Sequence, residues 1–325
     1  MASIGNGTVT PVSTRTGRAG RPIKVPRLPE ELAVAPDGKT VWVVSQIDGT
    51  NQRLGRVTPI STATGRAGKP IRVGISPGPL VISPDSRTIY VATAGLNYQT
   101  LAGNLTVISA RTDRVRRLLT GIAPNDMVLG QGGRTLYAAT SGAVIPIRTA
   151  TVRRGRPIRL AEYAQQLIMG PGGRSVYVVG DTGLVTRIST RTDRVTWQAR
   201  TTAPEPAAMG LTPDGRKLYV LGDAPRRRRG YLMPVSTAAG TVGQRIGVGH
   251  DPLAIAFGPG GRTAYVLCSP IWVKGHNLEF GIGSVFPVAV ATGRVGRPVL
   301  TGRGSLSLAV VPGKTYEPWE AGPLK

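Results

Sequence analysis

Short apolar runs bounded by turn residues recur along the whole chain in two alternating phrases. The first phrase is an apolar run, a tight turn and a second apolar run carrying an aromatic, as in Leu32-Ala33-Val34-Ala35-Pro36-Asp37-Gly38-Lys39-Thr40-Val41-Trp42-Val43. It returns at Pro84-Asp85-Ser86-Arg87, Gln131-Gly132-Gly133-Arg134, Pro171-Gly172-Gly173-Arg174, Pro213-Asp214-Gly215-Arg216 and Pro259-Gly260-Gly261-Arg262. Each copy is followed by an apolar pair around Tyr, and a degraded copy stands at Pro312-Gly313-Lys314. Asp-Gly and Gly-Gly between two apolar runs supply the positive φ of a hairpin turn, so each copy predicts two antiparallel strands. The second phrase is Gly, an alternating strand, a Ser/Thr-rich basic turn and another strand, as in Gly55-Arg56-Val57-Thr58-Pro59-Ile60-Ser61-Thr62 running on to Lys69-Pro70-Ile71.

Successive turns at 36, 84, 131, 171, 213 and 259 are 48, 47, 40, 42 and 46 residues apart, close to the roughly 40–45 residues of a four-stranded propeller blade. Copies of the second phrase begin near Gly7, Gly55, Gly103, Gly142, Gly183, Gly230 and Gly283, and the first of them precedes any copy of the first phrase. The prediction is an all-β, seven-bladed β-propeller of four-stranded antiparallel blades, one domain over 1–325. The ring is closed by N- and C-terminal strands in one blade, from about 6–26 plus 305–317, with 318–325 as a tail. N-terminal residues are expected to form strands three and four of that blade, and 306–317 strands one and two, which leaves no open sheet edge.

Composition agrees with this pattern. The chain of 325 residues has 44 Gly and 27 Pro, more than a helical bundle tolerates, and its 40% apolar content is enough for a large core. Cys268 is the only cysteine, which excludes an intrachain disulfide and a Cys-rich metal site. The N-terminus has neither a basic start nor a long apolar stretch, and no run suits a transmembrane helix. The chain as it stands is expected to be cytoplasmic, or extracytoplasmic if a leader has been removed, and to be a monomer.

The phrases Ile89-Tyr90-Val91-Ala92-Thr93, Val176-Tyr177-Val178-Val179-Gly180 and Leu218-Tyr219-Val220-Leu221-Gly222 each follow a turn of the Pro-Asp-Gly type. With Thr8-Val9-Thr10-Pro11-Val12-Ser13-Thr14 and Gly20-Arg21-Pro22-Ile23 as the companion strand pair, they resemble the YVTN-type repeat of YncE-like propellers over nearly the whole chain. The resemblance implies the fold and leaves the activity open, since such rings serve as lyases, lactonases and binding proteins.

Charge sorts by face. Net charge is +24, and 34 of the 41 bases are Arg, an excess that GC-rich coding also produces. In a four-stranded blade the strand 1–2 and 3–4 turns share one side of the disc. That side gathers Lys39, Arg87, Arg134, Arg174, Arg216 and Arg262, with Arg114, Arg116, Arg153 and Arg154 in the outer turns. A basic disc face is a candidate surface for an anionic polymer through many phosphate contacts, although aromatics, at 5%, are too few for base stacking. The opposite side gathers ten of the 17 acids, together with Arg226 to Arg229. Its long loops are expected near 46–55, 94–103, 223–230 and 268–283.

On the acid-rich side, alignment of the first strands places Glu30/Glu31, Gly78/Pro79, Asn125/Asp126, Gln165/Gln166, Ala207/Ala208, Leu253/Ala254 and Leu306/Ser307 around the central channel mouth. Carboxylate and amide oxygens converging there suit Ca²⁺ or Mg²⁺ or a small polar ligand. No cofactor is required by any motif. The two histidines fall on the same side, His250 beside Asp251 and His276 with Glu279 in the longest insertion. The expected function is a binding or interaction scaffold that recognises a protein or small-molecule ligand with Glu30, Glu31, Asn125, Asp126, Gln165, Gln166, His250, Asp251, His276 and Glu279. Catalytic residues are not assigned. One alternative is a metal-assisted lyase or lactonase using Glu31, Asn125, Asp126 and His276 or Glu279; another is polyanion docking. Gly74-Ile75-Ser76-Pro77-Gly78 has the letters of a nucleophile elbow but leads into a strand, not a helix. Gly38-Lys39-Thr40 lacks the upstream glycine of a phosphate loop.

Overall fold

The computed structural model describes residues 2–3, 7–13, 16, 18–49, 52–95, 103–203, 205–223, 229–269, 271–274, 277–303 and 305–308. It is an all-β propeller of four-stranded antiparallel blades. From Ala164–Met169 inwards to Arg194–Arg200 outwards, one sheet runs through Ser175–Gly180 and Leu184–Ser189, with each strand beside its predecessor in sequence. The same order holds for the sheets that begin with Ala208–Leu211 and with Pro252–Phe257. In the sheet that begins with Asp126–Leu129, the outer position is shared by Arg153–Arg154 and Ile158–Arg159, both paired with Ala143–Arg148. Between Pro29–Val34 and Arg114–Thr120 the ladder is continuous over seven strands. Ile71–Ile82 pairs through its first residues with Gln52–Ser61 and through its last with Thr88–Gly95.

Closure of the ring differs from expectation in its strand assignment. The closing sheet has the order Ser305–Ser307, Ala2–Ser3, Thr8–Val9, Ile23–Lys24. The N-terminus therefore supplies three strands, Ala2 pairing with both Ser307 and Val9, and the C-terminus supplies the innermost one. The expected second strand at 309–317 lies outside the described residues.

The repeat phrases gain physical reasons here. Middle strands are buried on both faces because neighbouring sheets stack on them; every residue of Asn104–Ser109 and Ser175–Gly180 is buried. The repeated aromatic sits in the seam between blades. Tyr177, Val179 and Val185 pack with Met209, Val220 and Met233 of the next sheet, and Tyr137 with Leu167 and Val178. The Tyr137 hydroxyl donates across that seam to Asp193 at 3.3 Å. The glycine that opens the second phrase is dictated by close approach: a Cβ on Gly55, Gly103, Gly183 or Gly230 would fall on the backbone carbonyl oxygen of Gly74, Ile122, Ala203 or Gly249 respectively.

Hydrogen bonds also fix which turns share a face. The carbonyl oxygens of Lys39, Arg87, Arg134, Arg174, Arg216 and Arg262 accept from the backbone N–H of Thr62, Ala110, Thr149, Thr190, Thr237 and Val290. Each bond ties the strand 1–2 turn of a blade to its own strand 3–4 turn. At the other end of the blades, Pro29 faces Ser45 and Pro252 faces Cys268, so the start of the innermost strand lies beside the strand 2–3 connections. Two expected long loops on that side are paired strands. Residues 46–49 run antiparallel to 52–55, and the long insertion after Cys268 holds a hairpin of Ile271–Lys274 with Asn277–Phe280. No helix among the described residues is long and apolar enough to cross a membrane.

Candidate functional site

The starts of the inner strands enclose a cavity of about 470 Å³ at the acid-rich end of the channel. Glu30, Glu31, Asn125, Asp126, Gln165 and Gln166 all line it. Pro77, Gly78, Pro79, Ala207, Ala208, Leu253, Ala254 and Leu308 stand among the non-polar residues of the wall. Polar groups thus occupy one arc and apolar ones the rest.

Four of the polar side chains bridge blades, three of them as acceptors. Glu31 Oε1 accepts the N–H of Leu80 at 3.3 Å, Asp126 Oδ2 that of Leu167 at 2.6 Å, and Gln166 Oε1 that of Met209. Each acceptor reaches the inner strand of the next blade, whose channel-facing N–H has no strand beyond it to pair with. Asp126 Oδ1 also accepts from Met127 N–H at 2.7 Å, and Asn125 Nδ2 donates to the Ala164 carbonyl at 3.1 Å. Glu30 Oε2 accepts from Gln46 Nε2 at 2.6 Å. The bridging role is invisible in sequence, since it requires knowing that position 31 of one repeat abuts position 80 of the next.

Burial governs the charge state of the arc. It pushes the Glu31 carboxyl up to about 8, with the nearby Asp126 and then Glu30 adding to the rise and the Leu80 N–H opposing it. Burial likewise lifts Asp126 to about 7, against the pull of the Leu167 and Met127 N–H groups. Near neutral pH the two carboxyls share protons instead of carrying two full charges. Added positive charge in the cavity would release those protons.

Among the described residues that line the cavity, His250 and Asp251 are not found. His250 is exposed and pairs with Arg229 between the outer strands of its sheet. Asp251 adopts φ 49°, and its carbonyl accepts from Ser269 N–H at 3.1 Å. Glu279 faces Trp272 in the ladder of the inserted hairpin, and His276 lies outside the described residues. No group of three His, Cys, Asp or Glu side chains among the described residues is arranged to hold a metal ion. Sequence reasoning missed the hydroxyls of Ser45, Thr93 and Ser269. They are buried at the ends of second strands and meet no hydrogen-bond partner among the described residues.

No protein-family model matches the chain, and no curated protein matches it by sequence. Solved structures do. The chain is similar to Kuenenia stuttgartiensis hydrazine synthase, with a TM-score of 0.71 and 19% identity over 87% of this chain and 90% of that one. It is also similar to the β-propeller domain of Myceliophteria thermophila Cps50 (Swd1), with a TM-score of 0.67 and 12% identity over 94% of both chains. At these identities the likeness defines a β-propeller and carries no activity with it.

Proposed function

We propose that the chain is a seven-bladed propeller of the YVTN, YncE-like type, in which the continuous seven-stranded ladder counts as two blades sharing Ile71–Ile82. It acts as a binding scaffold whose acid-rich channel mouth takes a ligand bearing hydrogen-bond donors or positive charge. One observation carries the reading. At equivalent positions of a repeating ring, one arc holds Glu30/Glu31, Asn125/Asp126 and Gln165/Gln166 while the rest is Gly, Pro, Ala, Leu and one Ser, and that arc lines a cavity. A purely structural rim repeats its residues; a recognition site needs polar groups placed on one side of an apolar wall. Small amines, divalent cations and a basic segment of a partner protein share the chemistry that such an arc selects.

Calorimetric titration of the whole chain with Ca²⁺, Mg²⁺ and a series of small primary amines tests the reading, with E31Q/D126N as the comparison. Binding that weakens at least about ten-fold in the double variant supports it, because hydrogen bonds to charged groups are the larger contributors. Binding equal in both proteins, or absent from both, overturns it.

A second reading, a metal-assisted lyase or lactonase, draws on the carboxyls of Glu31 and Asp126, whose proton affinities raised toward neutral pH suit general acid–base chemistry. Elemental analysis after exhaustive dialysis separates the two. Retained stoichiometric divalent metal shifts the reading to the enzyme.

A further inference from the structure

We propose that the turn face opposite the channel mouth is a docking surface for an anionic phospholipid bilayer. Lys39, Arg87, Arg134, Arg174, Arg216 and Arg262 occupy the same position of six hairpin turns, and all six side chains are exposed. Each is held by the same backbone hydrogen bond from its blade's strand 3–4 turn. The tips therefore form a ring around the channel axis at one level, and none of the six is ion-paired with a carboxylate among the described residues. Three of the carboxylates on this side are already engaged in hydrogen bonds. Asp85 and Asp214 accept from Ser83 and Thr212 hydroxyls and from the Arg87 and Arg216 N–H groups, while Asp193 accepts from Tyr137. The six charged heads are exposed to solvent, those of Arg87 and Arg216 in the field of the Asp85 and Asp214 carboxylates.

A second observation chooses among anionic partners. The strand 4 residue that faces the end of strand 3 is an exposed apolar side chain in three blades: Val115 opposite Ile108, Val195 opposite Ile188 and Val242 opposite Val235. Their exposures are 48%, 40% and 37%. Val115 stands between Arg114 and Arg116, both exposed, and Val195 follows exposed Arg194. Basic groups interleaved with aliphatic ones fit a bilayer interface, where phosphates take the charge and the acyl boundary takes the methyls. A nucleic-acid duplex offers no apolar layer, and single strands call for aromatic platforms, which are absent from these positions. A planar partner also meets a whole ring at once, whereas a rod meets only a chord of it.

Co-sedimentation of the full chain with vesicles of phosphatidylcholine, alone or mixed two to one with phosphatidylglycerol, tests the proposal beside binding to a short DNA duplex. The expected result is sedimentation with the anionic vesicles only. Replacing Arg87, Arg134, Arg174, Arg216 and Arg262 by Gln reduces it at least about ten-fold, since each base near an anionic surface adds to the attraction. Replacing five exposed bases elsewhere (Arg27, Arg159, Arg200, Arg229 and Arg245) by Gln reduces it no more than about two-fold, as screening confines attraction to charges close to the bilayer. Val115→Ser, Val195→Ser and Val242→Ser together weaken vesicle binding and leave duplex binding unchanged. Failure to sediment, equal loss in both five-residue variants, or duplex binding tighter than vesicle binding with no effect of the Val substitutions each overturns the proposal.

Discussion

At the scale of single residues, Glu31 and Asp126 tie structure to pH. Their carboxyls hold protons more tightly in the folded chain than in the unfolded one, Glu31 up to about 8 and Asp126 up to about 7. Between the ordinary carboxylate range and those values the folded state binds more protons, so stability falls as pH rises through that window. In Glu31→Gln the amide oxygen still accepts from Leu80, and no proton is needed to keep it neutral. Urea unfolding at pH 5 and pH 8 is expected to show a loss smaller than wild type's by on the order of 2 kcal/mol, discounted because the group borders an open cavity. Glycine offers a sharper contrast. Gly103→Ala drives a Cβ onto the Ile122 carbonyl and the Ala123 Cα and should cost about 2 kcal/mol or more. Gly78→Ala, with nothing within 4 Å, should leave the thermal midpoint within about a degree of wild type. The arc of site residues was legible because repeats align and exceptions stand out. Its hydrogen-bond acceptors were not, because their partners lie in the next repeat, and the outward position of His250 depends on a strand pairing that the local sequence does not specify.

At the scale of elements, the turn pairs are the repeating joints of the molecule. Thr190 Oγ1 donates to the Gly173 carbonyl at 2.6 Å, and Thr62, Thr149 and Thr237 make the same bond to Gly38, Gly133 and Gly215. Thr190→Val keeps the shape and removes the donor, so a loss of about 1 kcal/mol is expected in chemical denaturation. Faster amide exchange should be confined to the 171–175 and 188–194 turns. Hairpins were readable from Asp-Gly and Gly-Gly turns, whose positive φ values appear at Gly38, Gly133, Gly173, Gly215 and Gly261. The inserted strands Ile271–Lys274 and Asn277–Phe280 were not: they pair with each other in a sheet of their own and have no counterpart in the repeat.

At the scale of the whole molecule, the ring depends on its joined ends. Removing residues 1–9 takes away the strands that pair with Ser305–Ser307 and with Ile23–Lys24, exposing two sheet edges at once. The expected outcome is a thermal midpoint lower by several degrees with loss of a single cooperative transition, measured by calorimetry. The sequence pointed to a joined pair of ends but divided the blade two and two, because Ala2–Ser3 is too short to carry an alternating pattern.

That three-and-one division bears on how the polypeptide matures. Synthesis proceeds from the amino end, so Ala2–Ser3, Thr8–Val9 and Ile23–Lys24 emerge before all the intervening blades, and their partner Ser305–Ser307 only after them. Nascent chains must therefore keep a raw sheet edge unsatisfied until the intervening blades have been made. Joining the circle is expected to be a slow step, since contacts so distant along the backbone form slowly.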